Sequence, residues 1–196
     1  MTAMTISPTG LPFGRALTAD DLELIPDDGH RYELLDGALL VTPAPAWQHQ
    51  EAQGALFVAL WNACPRSQQR VLGAPFAVRL TPDTELQPDI LVARYEDLTP
   101  KNLPAAPLLA VEVRSPSTAL IDLNLKRAVY ERHGVASYWI LDPDPEKPSL
   151  LVFELDAAGR YVEVARVTGE ERFTAERPFP VTVSPAELTA GLHPQA

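Results

Sequence analysis

The sequence has little cysteine: Cys64 stands alone in 196 residues. An internal disulfide is excluded, and the usage fits a reducing compartment. Long hydrophobic runs are missing too. No stretch approaches the roughly 18 uninterrupted apolar residues of a spanning helix, and no basic-then-apolar leader opens the sequence. The expectation is a cytoplasmic chain with no membrane partner. Basic residues are scarce, 16 Lys and Arg against 26 Asp and Glu, which leaves a net charge of −10. Nucleic-acid binders neutralise phosphates with basic patches, so this balance argues against tight binding to nucleic acid at large. Internal repeats and low-complexity segments are absent.

What is present suits an ordinary globular chain, 46% hydrophobic and 21% charged. The length predicts one domain with a substantial core, over 17–196 behind a loose tail at 1–16. The 20 prolines are scattered and predict many sharp turns. Thr18 is placed to cap a short helix ending at Pro26. RYELLDGALLVTP reads as a hairpin around Asp36-Gly37. After Pro45 the pattern turns helical, with Ala52, Leu56, Leu60 and Ala63 on one face. RVLGAPFAVRL reads as one strand bent near Gly73 and Pro75, TPDTELQ as a turn-rich connection, and PDILVA as a short strand. LLAVEV is apolar enough for a central strand covered on both faces. A helix over about 117–133 follows, capped by Ser117 or Thr118 and stopped by Gly134. SYWILDP, SLLVFEL and RYVEVARV read as strands, the last two as a hairpin, and the tail as one short strand with a closing turn. Mixed hairpins around a strand–helix–strand unit predict an α/β fold with a mixed sheet.

Three residues, Glu112, Asp89 and Lys126, stand out chemically. Glu112 lies inside the predicted central strand, where a carboxylate needs an ion pair or a metal. Asp89 opens the PDILVA strand; Pro-Asp is also common turn chemistry. Adjacent strands could present both acids to one hard cation such as magnesium. On a helical wheel Lys126 shares the sheet-facing side with Asp122, Leu125, Val129, Tyr130 and His133. It is either a functional cation or the partner of Asp122 with its stem snorkelling outward. Glu33 shares a strand face with Arg31 and Leu35 and reads locally as an exposed hairpin acid. His49 reads as a surface histidine, and Tyr130 as a core tyrosine.

The string RYELLDGALLVTPAP…H, then QPDILV, then VEVRSPST…D…K…Y…GV.SYWILDP, resembles the Uma-two family of restriction-endonuclease-like proteins, within the PD-(D/E)xK nuclease superfamily. The resemblance covers roughly residues 18–160. It implies a restriction-endonuclease-like fold, a mixed β-sheet flanked by helices, with hairpins added. It also implies a magnesium-dependent endonuclease (manganese able to substitute) that hydrolyses DNA phosphodiesters. Asp89 matches the motif aspartate, Glu112 the acid of the (D/E)xK element, and Glu33 the glutamate from an N-terminal element; these three would hold the metal. The motif lysine position, two after Glu112, holds Arg114, so the lysine role falls to Lys126. Arg114 would be a phosphate clamp, since its high pKa makes it a poor proton acceptor. Related nucleases often pair, which implies a homodimer, with SLLVFEL as a candidate interface. The competing reading is a nuclease-fold protein that no longer cuts and serves as a binding module.

Overall fold

A computed structural model describes residue 11, residues 14–115 and residues 121–193 of the chain. The 1–16 tail and the cap of the 117–133 helix lie mostly outside these residues. The first described helix, α1, is Ala19–Leu22, and Asp21 accepts hydrogen bonds from the Thr18 N–H and hydroxyl at 2.7 and 2.9 Å. Strands β1 (Arg31–Leu35) and β2 (Ala38–Thr42) form the expected hairpin. Asp36 and Gly37 carry φ of 51° and 79°, the positive pair that a two-residue turn of this hand requires. Helix α2 (Trp47–Ala63) then buries Ala52, Leu56 and Leu60, as their spacing predicts.

The next stretch departs from expectation. RVLGAPFAVRL is two strands, β3 (Gln69–Gly73) and β4 (Ala77–Thr81), in different sheets. The Gly-Ala-Pro step is a corner between layers, because proline cannot continue a ladder. TPDTELQ contains a third strand of this group, β5 (Thr84–Leu86), wholly buried. Its apolar content is too small to betray it; pairing with β1 and β4 supplies the stability. Strand β6 (Ile90–Arg94), a short β7 (Asn102–Leu103) and the central β8 (Leu109–Val113) follow.

Beyond β8, residues Ile121–Lys126 form a π-helical turn that runs into α3 (Arg127–Arg132). Gly134 ends it with φ of 77°. The π turn rotates the face that a regular wheel predicts: Leu125 is exposed and Leu123 half-buried, while Lys126, Val129 and Tyr130 stay buried. Strands β9 (Ser137–Asp142), β10 (Ser149–Leu155) and β11 (Tyr161–Thr168) continue the chain. The tail holds two mutually paired strands, β12 (Phe173–Ala175) and β13 (Val181–Val183), and then α4 (Pro185–Thr189), where one strand was expected.

Six strands make one mixed sheet in the order β11-β10-β9-β8-β6-β3, and five make a second, β2-β1-β5-β4-β7. Only β8 and β9 run parallel in the larger sheet, because only they are joined through a helix long enough to cross over. One face of that sheet packs Val111, Val113, Trp139 and Val152 against α2 and the tail elements. The other presents Ala110, Tyr138, Ile140 and Phe153 to Val129 and Tyr130. Strand β10 lies between β9 and β11 with most of its residues buried, so SLLVFEL is an interior strand and not an exposed interface. No described helix is long and apolar enough to cross a membrane.

Candidate active site

The two faces of β8 fix where its acid goes. Val111 and Val113 belong to the α2 side, so Glu112 faces the opposite side with Ala110. Strand β6 pairs antiparallel with β8 through Ile90↔Val111, and one further step in that register sets Asp89 opposite Glu112. Side chains directly opposite across a ladder share a face. Both acids emerge where the two sheets part, and β1 of the smaller sheet brings Arg31 and Glu33 to the same place.

The buried ammonium of Lys126 organises one half of this cluster. Its Nζ lies 3.0 Å from Glu33 Oε1 and 3.0 Å from Glu112 Oε1. Tyr130 donates its hydroxyl to Glu112 Oε1 at 3.1 Å, and the Gln87 N–H donates to Glu33 Oε1 at 2.8 Å. Exposure is 1% for Glu33, 2% for Glu112 and 4% for Lys126, so burial without pairing would be very costly. Burial and the nearby Glu112 push the Tyr130 phenol well above the usual range, so it stays a neutral donor.

Asp89 organises the other half. Arg31 donates to Oδ1 at 3.0 Å, while His49 Nε2 at 3.0 Å and the Val113 N–H at 2.8 Å meet Oδ2. Burial by itself pushes this carboxyl up. The His49 contact, Arg31 and the Val113 amide outweigh it, so Asp89 sits below the ordinary carboxylate range. For Arg31, burial works against the charge, but Asp89, Glu112 and Glu33 together hold the guanidinium more firmly protonated than usual.

Glu112, Asp89 and Lys126, singled out by their own setting, and Glu33, named through the family resemblance, therefore line one cavity of about 460 Å³, together with Arg31, His49 and Arg114. Two local readings are corrected. Glu33 is buried and not an exposed hairpin acid, because β1 turns its inner face to the larger sheet. His49 is buried at the first turn of α2 and not on the surface. A signal for it existed: His49 precedes Ala52, Leu56 and Leu60 at helical spacing, so extending the core face back one turn reaches it. The role of Arg31 and of the Val113 and Gln87 amides had no sequence signal, since backbone donors are set by register. Arg114 pairs with Asp142, and its Nε is buried without a hydrogen-bond partner. The Asp122 side chain lies outside the described residues, so the Asp122–Lys126 pairing does too.

Three carboxylates face two permanent cations, Arg31 and Lys126, leaving the cluster one negative charge in excess before His49 is counted. Hard oxygen donors of this kind suit magnesium, which commonly takes one or two protein carboxylates and completes its shell with water and phosphate. Asp89 and Glu112, opposite one another, provide such a pair. Among the described residues no three His, Cys, Asp or Glu side chains are grouped closely enough to hold one ion unaided. The donor set thus fits a water-rich magnesium site and not an all-protein cage.

A family model, Uma2, whose members are described as putative restriction endonucleases, matches residues 19–190. The chain belongs to the Uma2 family. Its fold is also that of a solved protein, a putative nuclease belonging to DUF820 from Anabaena variabilis ATCC 29413. The TM-score is 0.67 at 18% identity, over 90% of the Uma2 chain and 99% of the other. At that identity the likeness concerns the fold. No curated protein matches the chain. The family match spans Glu33, Asp89, Glu112 and Lys126, which in this Uma2 chain come from β1, the mouth of β6, β8 and the π turn before α3.

Proposed function

We propose that this chain is a magnesium-dependent endonuclease that hydrolyses DNA phosphodiester bonds, with Glu33, Asp89, Glu112 and Lys126 as its catalytic residues. The observation that carries the reading is the single ammonium, Lys126, held 3.0 Å from each of two acids on different sheets, with a third acid on the adjoining strand of the same cavity. Asp89 and Glu112 would hold the metal, with Glu33 completing its surroundings through water; manganese would substitute. The metal, when bound, supplies Lewis acidity to a water and to a phosphate oxygen.

In the reaction a water oxygen bonds to phosphorus, one ester P–O bond breaks, and the leaving oxygen takes up a proton. Lys126 offsets charge that builds on the phosphoryl oxygens. It is held for that task by two acids and needs little reorganisation. Asp89 is kept ionised by Arg31, His49 and the Val113 amide, which fix the direction of its oxygens. Tyr130 restrains Glu112 by its hydroxyl. Arg114, at the cavity wall, is placed to exchange Asp142 for a phosphate oxygen, and its bidentate fork suits that group.

The test is cleavage of circular DNA, both single-stranded and duplex, with Mg²⁺ or Mn²⁺. Glu112→Ala and Lys126→Ala should each lower the rate by about 10²–10³-fold. Activity that survives both substitutions would sink the assignment. A second reading, a nuclease-fold binding module that does not cut, is favoured by the net charge of −10 and by the engagement of every acid in internal pairs. It prevails if calorimetric titration finds no binding of either metal and no DNA is cut. The proposed cytoplasmic location and homodimeric assembly would be checked by fractionation and by sedimentation.

A further inference from the structure

We propose that the DNA entering this site is an unpaired strand and not an intact duplex. The proposal rests on the phosphodiesterase reading above and specifies the form in which the phosphate arrives.

Depth is the first reason. Glu33, Asp89, Glu112 and Lys126 are each 4% exposed or less, so a scissile phosphate must descend into the cavity to meet them. The cavity holds about 460 Å³ and is walled by Pro43, Ala44, Pro45 and Pro143 as well as by the charged groups. That is the scale of a small-ligand pocket, about 300–1,000 Å³. On an intact duplex the scissile phosphate is held in line with its neighbours and beside the opposite strand, whereas a single strand can bend to lower one phosphate to that floor.

Charge is the second reason. A duplex carries one negative charge per about 1.7 Å of axis, and proteins that grip it neutralise a tract of phosphates. Among the described residues the cations lining this cavity are Arg31, Arg114 and Lys126, each already paired with an acid. They suffice for one or two phosphates, and the remaining chain is strongly acidic.

The surface beside the cavity is the third reason. Across Pro43–Pro45 lies a second hollow of about 380 Å³ that also borders Arg31. Its lining includes Gln50, Gln53 and Gln87; the Gln53 and Gln87 amide nitrogens donate to the Asp89 and Tyr32 carbonyls, which leaves their side-chain oxygens and the exposed Gln50 amide to hydrogen-bond base edges. Watson–Crick edges are open to such groups only when the strand is unpaired. A strand with its phosphate at Lys126 can lay the adjoining base in this hollow.

The experiment uses the full chain and one labelled oligonucleotide, alone or annealed to its complement. Cleavage is followed with Mg²⁺ or Mn²⁺, and binding of both forms by anisotropy in EDTA. The unpaired strand should be cut and bound at least about tenfold better than the duplex. Its salt slope should be shallow, about −1.4 if two phosphates are neutralised at about 0.7 each. A duplex cut as fast or faster overturns the proposal and leaves the phosphodiesterase reading standing. If neither form is cut with either metal, both fall. Ala44→Trp, at an exposed position that lines both hollows, should slow cleavage of the single strand by about tenfold while the unfolding midpoint holds. An unchanged rate in that variant overturns the placement of the strand.

Discussion

The two halves of the site solve the same problem in opposite ways. Around Lys126 one cation serves two acids, Glu33 and Glu112, brought from separate sheets. Around Asp89 one acid receives three donors, of which one is backbone and two are side chains from β1 and α2. Redundancy differs accordingly. Removing a donor from Asp89 leaves two, whereas removing Lys126 takes away the one ammonium in contact with both Glu33 and Glu112 and leaves them only the longer-range charge of Arg31 in common. The Asp89 half is robust, and the Lys126 half is fragile.

The largest effect should therefore come from Lys126→Ala. Breaking a buried ion pair by deleting one partner costs about 3–5 kcal/mol, and urea unfolding should register a loss of that order. A loss below about 1 kcal/mol would mean that the pairing contributes no more than a surface salt bridge. Asp89→Asn should cost less, about 1.5–3 kcal/mol by the same measurement, because Arg31 keeps the attraction of Glu112 and Glu33.

The same variant tests pH dependence. The Asp89 carboxyl is depressed in the folded protein, so its stabilisation is complete above its unfolded value near about 3.9 and is lost as pH falls toward its folded value. Wild type should lose more stability than Asp89→Asn as pH drops below about 4; parallel curves would remove Asp89 from the acid response.

Smaller changes sharpen the contrast. Tyr130→Phe removes one hydroxyl donor from Glu112 and should cost about 0.5–1.5 kcal/mol in urea unfolding. His49→Ala should fall in the same range, since Arg31 and the Val113 amide remain on Asp89. In a double-mutant cycle the pair Lys126→Ala with Tyr130→Phe should be non-additive. Lys126→Ala with His49→Ala should be nearer to additive, because the two act on different carboxylates.

Much of this was legible in the chain. The period-two pattern of LLAVEV put Glu112 on one face, and Asp36-Gly37 announced its own turn. The inward side of the last helix was also readable at Lys126, Val129 and Tyr130. At Leu125 the wheel failed, because a π turn bonds one residue further on and rotates the face. The early sheet was less readable: β5 is three residues long, and the break between β3 and β4 is a change of sheet that a local pattern registers only as a bend. His49 lay on a face already identified, one turn before the first alanine of the core.

By itself the sequence determined the alternation that buries Glu112, the position of Asp89 at a strand mouth, the hairpin that carries Glu33 and the helical phase of Lys126. These follow from local geometry, period two or near 3.6, and from turn chemistry at single residues. The tertiary structure alone decided that Glu33 and Glu112 share one ammonium and that His49 and Arg31 meet the same carboxylate. Those contacts link residues from 14 to more than 90 positions apart, and no local preference sets which strand of one sheet faces which strand of another. The packing of the two sheets around a single cavity does.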